Sequence, residues 1–561
     1  MTESGEEERD DKGGQTSSKR DITGAASVVG SATLLSRVFG YIRDAVIASI
    51  FGAGVETDIF FAAYRIPNFF RRLVGEGALA ASIVPVYTDE MSTGPEERGV
   101  TLASRLITLF GIIFLVLTVL GIIFAPQLVG LLTPEFAADE GKMALTISMT
   151  RWMFPFLFFI GLFAVAMALL NSLKHFLAPA LAPVLFNIAV IISVLFLSAL
   201  LPNPLYALAI GVVVGGAAQA FIQWPSLKRR GITFRPTLRL WDGALKRVLL
   251  LMGPYALGVG VYQINVLVTY RFASGLAEGS ISYLYYADRL VQLPFGVFGV
   301  AIATAALPSM SRHATESEWG AFKEAFAFAL RMVNFVMLPA MAGLMILALP
   351  IISLLFQRGV FDQHAANGTA YALYFYSVGL LAFSTTKIAA SAFHSIKDTI
   401  TPVLAALAAV VVNYLLCVAL IGPLRHGGLA LANSMASFVN LFILVAVLRW
   451  RMGPIGGRQI ARSAVKVCAA TAIMAVGVYG VKTVGGWYGE SGWWQAAVLV
   501  ASLISGVLLY FISAYLLKVY EIRFLYEMIM EKRGKRRSGK GENEKGAIMG
   551  QDYDYKGENG D

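Results

Sequence analysis

The sequence predicts an all-α polytopic membrane protein with about fourteen transmembrane helices. The chain is 57% hydrophobic and only 15% charged, and its mean hydropathy of +0.65 exceeds that of a soluble domain. Apolar stretches of about 20 residues recur from residue 22 to residue 520, each long enough to cross a hydrocarbon core of roughly 30 Å as a helix. These stretches are continuous, whereas the strands of a membrane β-barrel would alternate in polarity.

The loops between these stretches differ in their content of Lys and Arg. Those after odd-numbered stretches, such as "FGAGVETD" and "ASGLAEGS", have almost none. The loop after the sixth stretch carries Lys228, Arg229, Arg230, Arg235, Arg239, Lys246 and Arg247. The positive-inside rule therefore predicts that even-numbered loops and both termini are cytoplasmic. A net charge of +10 then reflects topology and anionic membrane lipids, and no nucleic acid is needed to explain it.

An internal repeat indicates two lobes of six helices each. The segment "LLNSLKHFLAPALAP" (169–183) resembles "AFHSIKDTITPVLAA" (392–406), and "ALAASIVPVY" (78–87) resembles "AIATAALPSM" (301–310). Both second copies lie 223 residues after the first, since 392 minus 169 and 301 minus 78 are each 223. Because six is an even number, the lobes share one orientation and form a parallel pseudo-repeat. Two such lobes facing a central cavity are typical of an alternating-access transporter.

The repeat and the charge pattern together predict the domain organisation. It consists of a disordered cytoplasmic tail (1–21), an N-lobe (22–227), a basic cytoplasmic linker (228–244), a C-lobe (245–450), two C-terminal helices (451–520) and a charged cytoplasmic tail (521–561). The acidic and polar character of the first 21 residues argues against a cleavable signal peptide.

Charged residues interrupt the first, second and eighth apolar stretches. An arginine in a membrane-spanning helix costs at least about 2.5–3.5 kcal/mol, so these side chains should face protein, water or a ligand. A spacing of seven residues places Asp58, Arg65 and Arg72 on one stripe of a helix. The full set of candidates is Arg37, Arg43, Asp58, Arg65, Arg71, Arg72, Glu76, Asp288 and Arg289.

Arginines outnumber acidic residues in this set, which favours an anionic ligand. The planar guanidinium donates bidentate hydrogen bonds that suit phosphate or pyrophosphate. Two alternatives stay open: arginines near helix ends can reach lipid head groups, or neighbouring charges can neutralise one another. The neutralising pairs would be Asp44 with Arg43, Glu76 with Arg72 and Asp288 with Arg289.

Several segments carry a family resemblance. They include "SRVFGYIRDAVIASIFGAGVETDIFFAAYRIPNFFRRLVGEGALAASIVPVY" (36–87), "HFLAPALAPVLFN" (175–187), "YYADRLVQLPFGVFGVAIATAALPSMS" (285–311) and "YSVGLLAFSTTKIAASAFHSIKDTITP" (376–402). Over about residues 22–520 the chain resembles the MurJ/MviN family of bacterial lipid II flippases, which belong to the multidrug/oligosaccharidyl-lipid/polysaccharide exporter superfamily.

This resemblance implies a function and a set of site residues. The expected substrate is lipid II, the undecaprenyl-pyrophosphate-linked disaccharide-pentapeptide precursor of peptidoglycan, moved from the inner to the outer leaflet of the cytoplasmic membrane. The two C-terminal helices would border a lipid-facing groove. The resemblance implies substrate-binding roles for Arg37, Arg43, Asp58, Arg71 and Arg289, and Arg72 matches the family pattern less well. The charge pattern adds Arg65, Glu76 and Asp288, which with Arg72 are the weaker candidates.

The expected protein is a transporter without a cofactor. A negative-inside potential favours outward movement of an anion by about 2.3 kcal/mol per charge per 100 mV, and the sequence has no Gly-x-x-x-x-Gly-Lys-Ser/Thr loop for ATP. A monovalent cation is an alternative energy source, with Asp398 as a weak candidate ligand that a helix-cap or packing role explains better. No other metal site is expected, because the five histidines lack metal-ligand spacing.

The expected partners are lipid II, membrane lipids and the cell-wall synthesis or division machinery. Two alternative functions remain. Another exporter of the same superfamily, for a polysaccharide-lipid or a drug, would share the architecture. A membrane glycosyltransferase or phosphatase would need clustered carboxylates or a histidine nucleophile on a loop.

Overall fold

The computed structural model describes residues 29–74, 78–93, 95–237, 242–486 and 492–524. Over these residues the chain is helical and forms no strand, which confirms the all-α prediction. Within the same ranges, nine helices are long and apolar enough to cross a membrane, and a bent pair, Gly243–Gly253 with Gly258–Ala273, brings the number to ten. The count of fourteen is compatible with these helices and stays a prediction.

The helices are numbered in chain order. The first ten are α1 (29–51), α2 (Val55–Val74), α3 (Ala78–Thr93), α4 (Glu96–Ile123), α5 (Ala125–Leu132), α6 (Glu140–Met153), α7 (Pro155–Ser172), α8 (Leu177–Leu197), α9 (Leu205–Phe221) and α10 (Trp224–Arg229). The next ten are α11 (Gly243–Ala273), α12 (Ser280–Pro294), α13 (Val300–Thr315), α14 (Trp319–Ile346), α15 (Ala348–Phe356), α16 (Gln363–Val378), α17 (Leu380–Ser395), α18 (Ile400–Met452), α19 (Gly457–Val484) and α20 (Gly492–Leu516).

Local chemistry determines where several of these helices begin, bend or break. Asp139 and Asp362 precede α6 and α16, and each side chain accepts a hydrogen bond from a backbone N–H of the first turn, as N-cap residues do. A π-helical turn, Phe295–Gly299, follows Pro294 at the end of α12. Arg425, with φ of 49° and ψ of −131°, breaks α18, so this long element is two helices.

The loops that end α7 and α17 have the same backbone turn. Lys174 and Lys397 adopt positive φ angles of 55° and 61°. In both loops the next amide donates a hydrogen bond of 2.9 Å to the carbonyl five residues back, which is the Schellman way of ending a helix. The two lysines are 223 residues apart (397 minus 174), so these two copies of the repeat share this local structure.

The chain divides into two compact units. The first comprises residues up to Gln292 together with Ala348–Gly379 and Thr399–Ile443, and it therefore contains α1, α2, α11, α16 and most of α12. The second comprises Leu293–Leu347, Leu380–Asp398 and the residues from Leu444 onward, and it contains α13, α14, α17, α19 and α20.

Within the second unit, ion pairs and a hydrogen bond hold the segment that precedes α19 and the segment that follows α20. Glu521 follows α20 and its side chain is fully buried, 3.7 Å from Arg331 Nε of α14, and it accepts a hydrogen bond from Ser463 Oγ of α19 at 3.0 Å. Asp398 Oδ2 lies 2.6 Å from Arg451 Nη1. Asp398, the weak candidate ligand for a cation, thus forms an ion pair with Arg451, and a role in cation binding stays a prediction.

Candidate functional site

A cavity of about 520 Å³ lies within the first unit. Five of the six candidate arginines line it, contributed by α1, α2 and α12. They are Arg43, Arg65, Arg71, Arg72 and Arg289. Among the lining residues that the structure describes, Asp288 is the one acidic side chain. The sequence-level excess of arginine is therefore concentrated on the walls of one cavity.

Asp44 joins two of these arginines across α1 and α12. Its side chain is fully buried; Oδ1 accepts hydrogen bonds from Arg43 Nε at 3.0 Å and Nη2 at 2.6 Å, and Oδ2 accepts one from Arg289 Nε at 2.9 Å. Arg43 also donates to Asn187 Oδ1 at 3.1 Å and to the Tyr285 hydroxyl at 3.2 Å. Two guanidinium groups share one carboxylate, so this cluster keeps one net positive charge.

Some of the ion pairs in the structure differ from those predicted between charged residues that are close in sequence. The pair of Arg43 with Asp44 forms, but Arg289 pairs with Asp44 rather than with Asp288. Asp288 lies on the cavity wall and accepts a hydrogen bond of 3.4 Å from Gln292.

Arg65 and Arg71 of α2 each have a contact with an uncharged side chain in the same cavity. The Arg65 guanidinium lies 4.9 Å from the centre of the Tyr270 ring, a cation–π contact. Arg71 Nε donates a hydrogen bond of 2.6 Å to Asn68 Oδ1, one helical turn earlier. Neither the Tyr270 ring nor the Asn68 amide carries a charge, so these two contacts orient the guanidinium groups without neutralising them.

Asp58 lies outside the lining of the cavity. It is 3% exposed and its carboxylate accepts hydrogen bonds from the backbone N–H groups of Gly279 and Ser282, at 2.7 and 2.8 Å, and from Ser282 Oγ at 2.6 Å. The carboxylate thus stabilises the beginning of α12. Any influence of Asp58 on a ligand would pass through α12, which carries Arg289.

Two further candidates remain, Arg37 and Glu76. Arg37 is half-buried on α1 and is not among the lining residues, although its neighbour Ser36 is. Glu76 lies outside the described residues. Its suggested pair with Arg72 therefore stays a prediction.

Sequence reasoning treated Asp44 only as a neutralising neighbour and missed Tyr285 and Asn68. The available signal was polarity within apolar stretches: Asn68, Asn187 and Asp44 each interrupt an apolar run. A buried polar side chain needs hydrogen-bond partners, so these residues mark positions where another polar side chain lies nearby.

A cluster of metal-ligating residue types lies elsewhere. In the part of the chain that the structure describes, the ligand atoms of His313, in the last turn of α13, and of Glu316 and Glu318, in the loop before α14, lie within 4.8 Å of one another. Both carboxylates are exposed, and Arg312 Nε is 4.0 Å from Glu316. Exposed acidic groups commonly cluster in this way without a metal, and these residues belong to the second unit rather than to the cavity.

The arginine side chains that line the cavity are suited to binding an anionic ligand. Arginine side chains that are held by hydrogen bonds before a ligand arrives can donate bidentate hydrogen bonds to an anion at low ordering cost. A pyrophosphate offers several such acceptors and enough negative charge to offset several guanidinium groups.

A family model, curated relatives and a solved structure that match most of the chain all carry the same description. A family model described as lipid II flippase MurJ matches residues 47–491, which include all of α2 and α12. A probable lipid II flippase MurJ from Vibrio cholerae is 38% identical over 436 residues, covering 76% of this chain and 83% of the relative. One from Bdellovibrio bacteriovorus is 35% identical over 511 residues, covering 90% and 96%. A solved structure of lipid II flippase MurJ in an inward closed conformation matches with a TM-score of 0.74 and 27% identity, over 89% of this chain and 99% of the other.

Proposed function

Because the chain belongs to the lipid II flippase MurJ family, we propose that its arginine-lined cavity binds the pyrophosphate of lipid II while the head group crosses the bacterial cytoplasmic membrane. The family membership makes the chain a transporter rather than an enzyme. Transport moves the undecaprenyl-linked peptidoglycan precursor from the inner to the outer leaflet by alternating access. The polyprenyl tail stays in lipid, beside the groove expected at α19 and α20.

The observation that carries this assignment is the bridge made by Asp44. It holds Arg43 and Arg289 within hydrogen-bond distance of one carboxylate, and both arginines line the cavity. Arg65 and Arg71 line the same cavity and add positive charge. Arg37 and Asp58 contribute indirectly in this proposal, through α1 and α12, and Glu76 and Asp288 limit the net charge.

The energetics follow from the charge of the substrate. A negative-inside potential drives the outward movement of an anion by about 2.3 kcal/mol per charge per 100 mV, which requires no ATP. A monovalent cation is the alternative driver. Both termini face the cytoplasm in this proposal, supported by the basic residues at the ends of α10 and α18, namely Lys228, Arg229, Arg449 and Arg451. The two six-helix lobes and a link to the cell-wall synthesis or division machinery belong to the same proposal.

Lipid II binding by single-alanine variants tests the pyrophosphate site. Arg43→Ala and Arg289→Ala should each weaken binding of lipid II to the purified protein, measured by native mass spectrometry. Arg43→Lys and Arg289→Lys should restore part of it, because lysine keeps the charge but loses the bidentate geometry. Binding by the wild type should also weaken as salt rises, because salt screens attraction between charges.

Arg230→Ala is the matched control. Arg230 follows α10, is exposed and lies outside the cavity, so its removal should leave lipid II binding unchanged. In a strain depleted of its own flippase, Arg230→Ala should restore growth and the two cavity variants should not. Wild-type lipid II binding by both Arg43→Ala and Arg289→Ala would refute the pyrophosphate site.

A further inference from the structure

Three helices contribute polar and aromatic side chains without charge to the cavity. We call this surface the neutral wall; its residues are Tyr262, Asn265 and Thr269 of α11, Tyr376 of α16 and Asn433 of α18. No charged residue from these three helices is among the described lining residues, whereas all five lining arginines come from α1, α2 and α12. Uncharged side chains of α11, α16 and α18 and arginines of α1, α2 and α12 therefore line the same cavity, and Tyr270 of α11 lies against Arg65.

The neutral wall is organised around a pair of amides. Asn265 Nδ2 donates a hydrogen bond of 2.8 Å to Asn433 Oδ1, which ties α11 to the second half of α18. Asn265 Oδ1 finds no hydrogen-bond partner among the described residues. An amide pair has more donors and acceptors than this one bond uses, so the wall retains hydrogen-bonding capacity that the protein itself does not satisfy.

An aromatic side chain lies beside these amides. Tyr262 is 50% exposed and lines the cavity one helical turn before Asn265. Its ring offers an apolar face and its hydroxyl a hydrogen-bonding group. Amides next to half-exposed aromatic rings form a surface on which a ligand with both apolar ring faces and uncharged polar groups can bind.

We propose that the neutral wall binds the carbohydrate part of lipid II, with the amides contacting sugar hydroxyl and N-acetyl groups and the Tyr262 ring covering a sugar face. This inference rests on the proposed function, because it assumes that the pyrophosphate binds the lining arginines of α1, α2 and α12. The charged side chains and carboxylate of the pentapeptide would lose solvation against an uncharged wall without gaining a counterion. Sugars carry uncharged groups and suit the wall better.

The cavity is large enough to hold part of the lipid II head group but not all of it. Pockets of roughly 300–1,000 Å³ enclose a drug-sized ligand, and this cavity measures about 520 Å³. A pyrophosphate with its sugars is of that size class, whereas two sugars, five amino acids and a pyrophosphate together are larger. The peptide then extends beyond the neutral wall.

Three lipid probes separate the parts of the head group. They are lipid II, a lipid II analogue without the pentapeptide, and undecaprenyl pyrophosphate, which has no sugar. The test variant is Asn265→Leu/Asn433→Leu, because replacing both partners of a hydrogen bond with apolar groups of similar size has little effect on folding. It should bind lipid II and the peptide-free analogue about tenfold more weakly than wild type, equivalent to about 1.4 kcal/mol, and should bind undecaprenyl pyrophosphate equally well.

Asn440→Leu is the matched control, because Asn440 lies two turns further along α18 and does not line the cavity. Tyr262→Leu is the second test variant and covers the case in which the double variant does not fold.

Unchanged binding of all probes to both test variants would overturn the sugar site. An equally large loss of undecaprenyl pyrophosphate binding would also overturn it. A loss seen only with the pentapeptide present would assign the wall to the peptide and also overturn it. A failure of the proposed pyrophosphate site would be seen in a separate experiment, in which Arg43→Ala and Arg289→Ala bind lipid II as strongly as the wild type does.

Discussion

Replacing Asp58 with alanine should destabilise the contact between α2 and α12 without removing a group that lines the cavity. The 3% exposed carboxylate accepts three hydrogen bonds, from two backbone N–H groups and the Ser282 hydroxyl. Hydrogen bonds to a charged group contribute roughly 1.5–3 kcal/mol each, so at the lower limit the three together contribute about 4–5 kcal/mol to the free energy of unfolding. The negative charge also lies at the N-terminal end of a helix, where the helix dipole favours it. Asp58→Asn keeps one acceptor oxygen and should lose about half of this amount.

Thermal unfolding in detergent, followed by tryptophan fluorescence, measures the loss. Asp139→Ala is the matched control, because the exposed Asp139 caps α6 with a single hydrogen bond of 3.0 Å from the Lys142 N–H, and its removal should cost about 1 kcal/mol. Below the unfolding temperature, Asp58→Asn should still bind lipid II. An Asp58→Asn variant with wild-type stability and no lipid II binding would place the carboxylate against the substrate and refute this reasoning.

Two further predictions concern the second unit and the repeated turn. Glu521→Ala should lower the free energy of unfolding by about 3–5 kcal/mol, because it removes the buried partner of Arg331; an unchanged thermal midpoint would show that this contact contributes nothing. Lys397→Val should lower stability by roughly 1–3 kcal/mol, because a β-branched residue is strained at a φ of 61°. Lys397→Asn should leave stability unchanged, since Asn tolerates this conformation, and the same pair of changes at Lys174 should behave alike if the turns are equivalent.

The sequence was sufficient for the class of fold and for several of the arginines that line the cavity. Long apolar runs predict helices because a membrane-spanning segment must satisfy its backbone hydrogen bonds internally. Charges inside such runs are costly, so their positions are informative: Arg43, Arg65 and Arg289 all line the cavity. The repeat was visible because equivalent turns, such as those at Lys174 and Lys397, keep similar residues around them.

The spacing of residues in the sequence did not predict how far along a helix a side chain lies relative to the cavity, or which residue it contacts. A helical stripe fixes the face on which a residue lies, but seven residues also move it about 10 Å along the axis. Asp58 and Arg65 therefore share a face of α2, while one caps α12 and the other lines the cavity. The bond between Asn265 and Asn433 joins residues 168 positions apart, a separation at which sequence pattern carries no contact information.

The geometry of Asp44 explains how a cluster of arginines can exist in an apolar setting and remain ordered for the anion binding proposed above. Unpaired guanidinium groups would repel one another and lose solvation, whereas the buried carboxylate offsets part of this cost and fixes Arg43 relative to Arg289. Because both arginines are already ordered by the fold, a pyrophosphate that binds them does not have to immobilise two flexible side chains. The same bridge joins α1 to α12, whose first turn is held by Asp58 of α2. The positions of Arg43 and Arg289 therefore depend on contacts among three helices, which is why residues that would not touch the substrate are expected to affect transport.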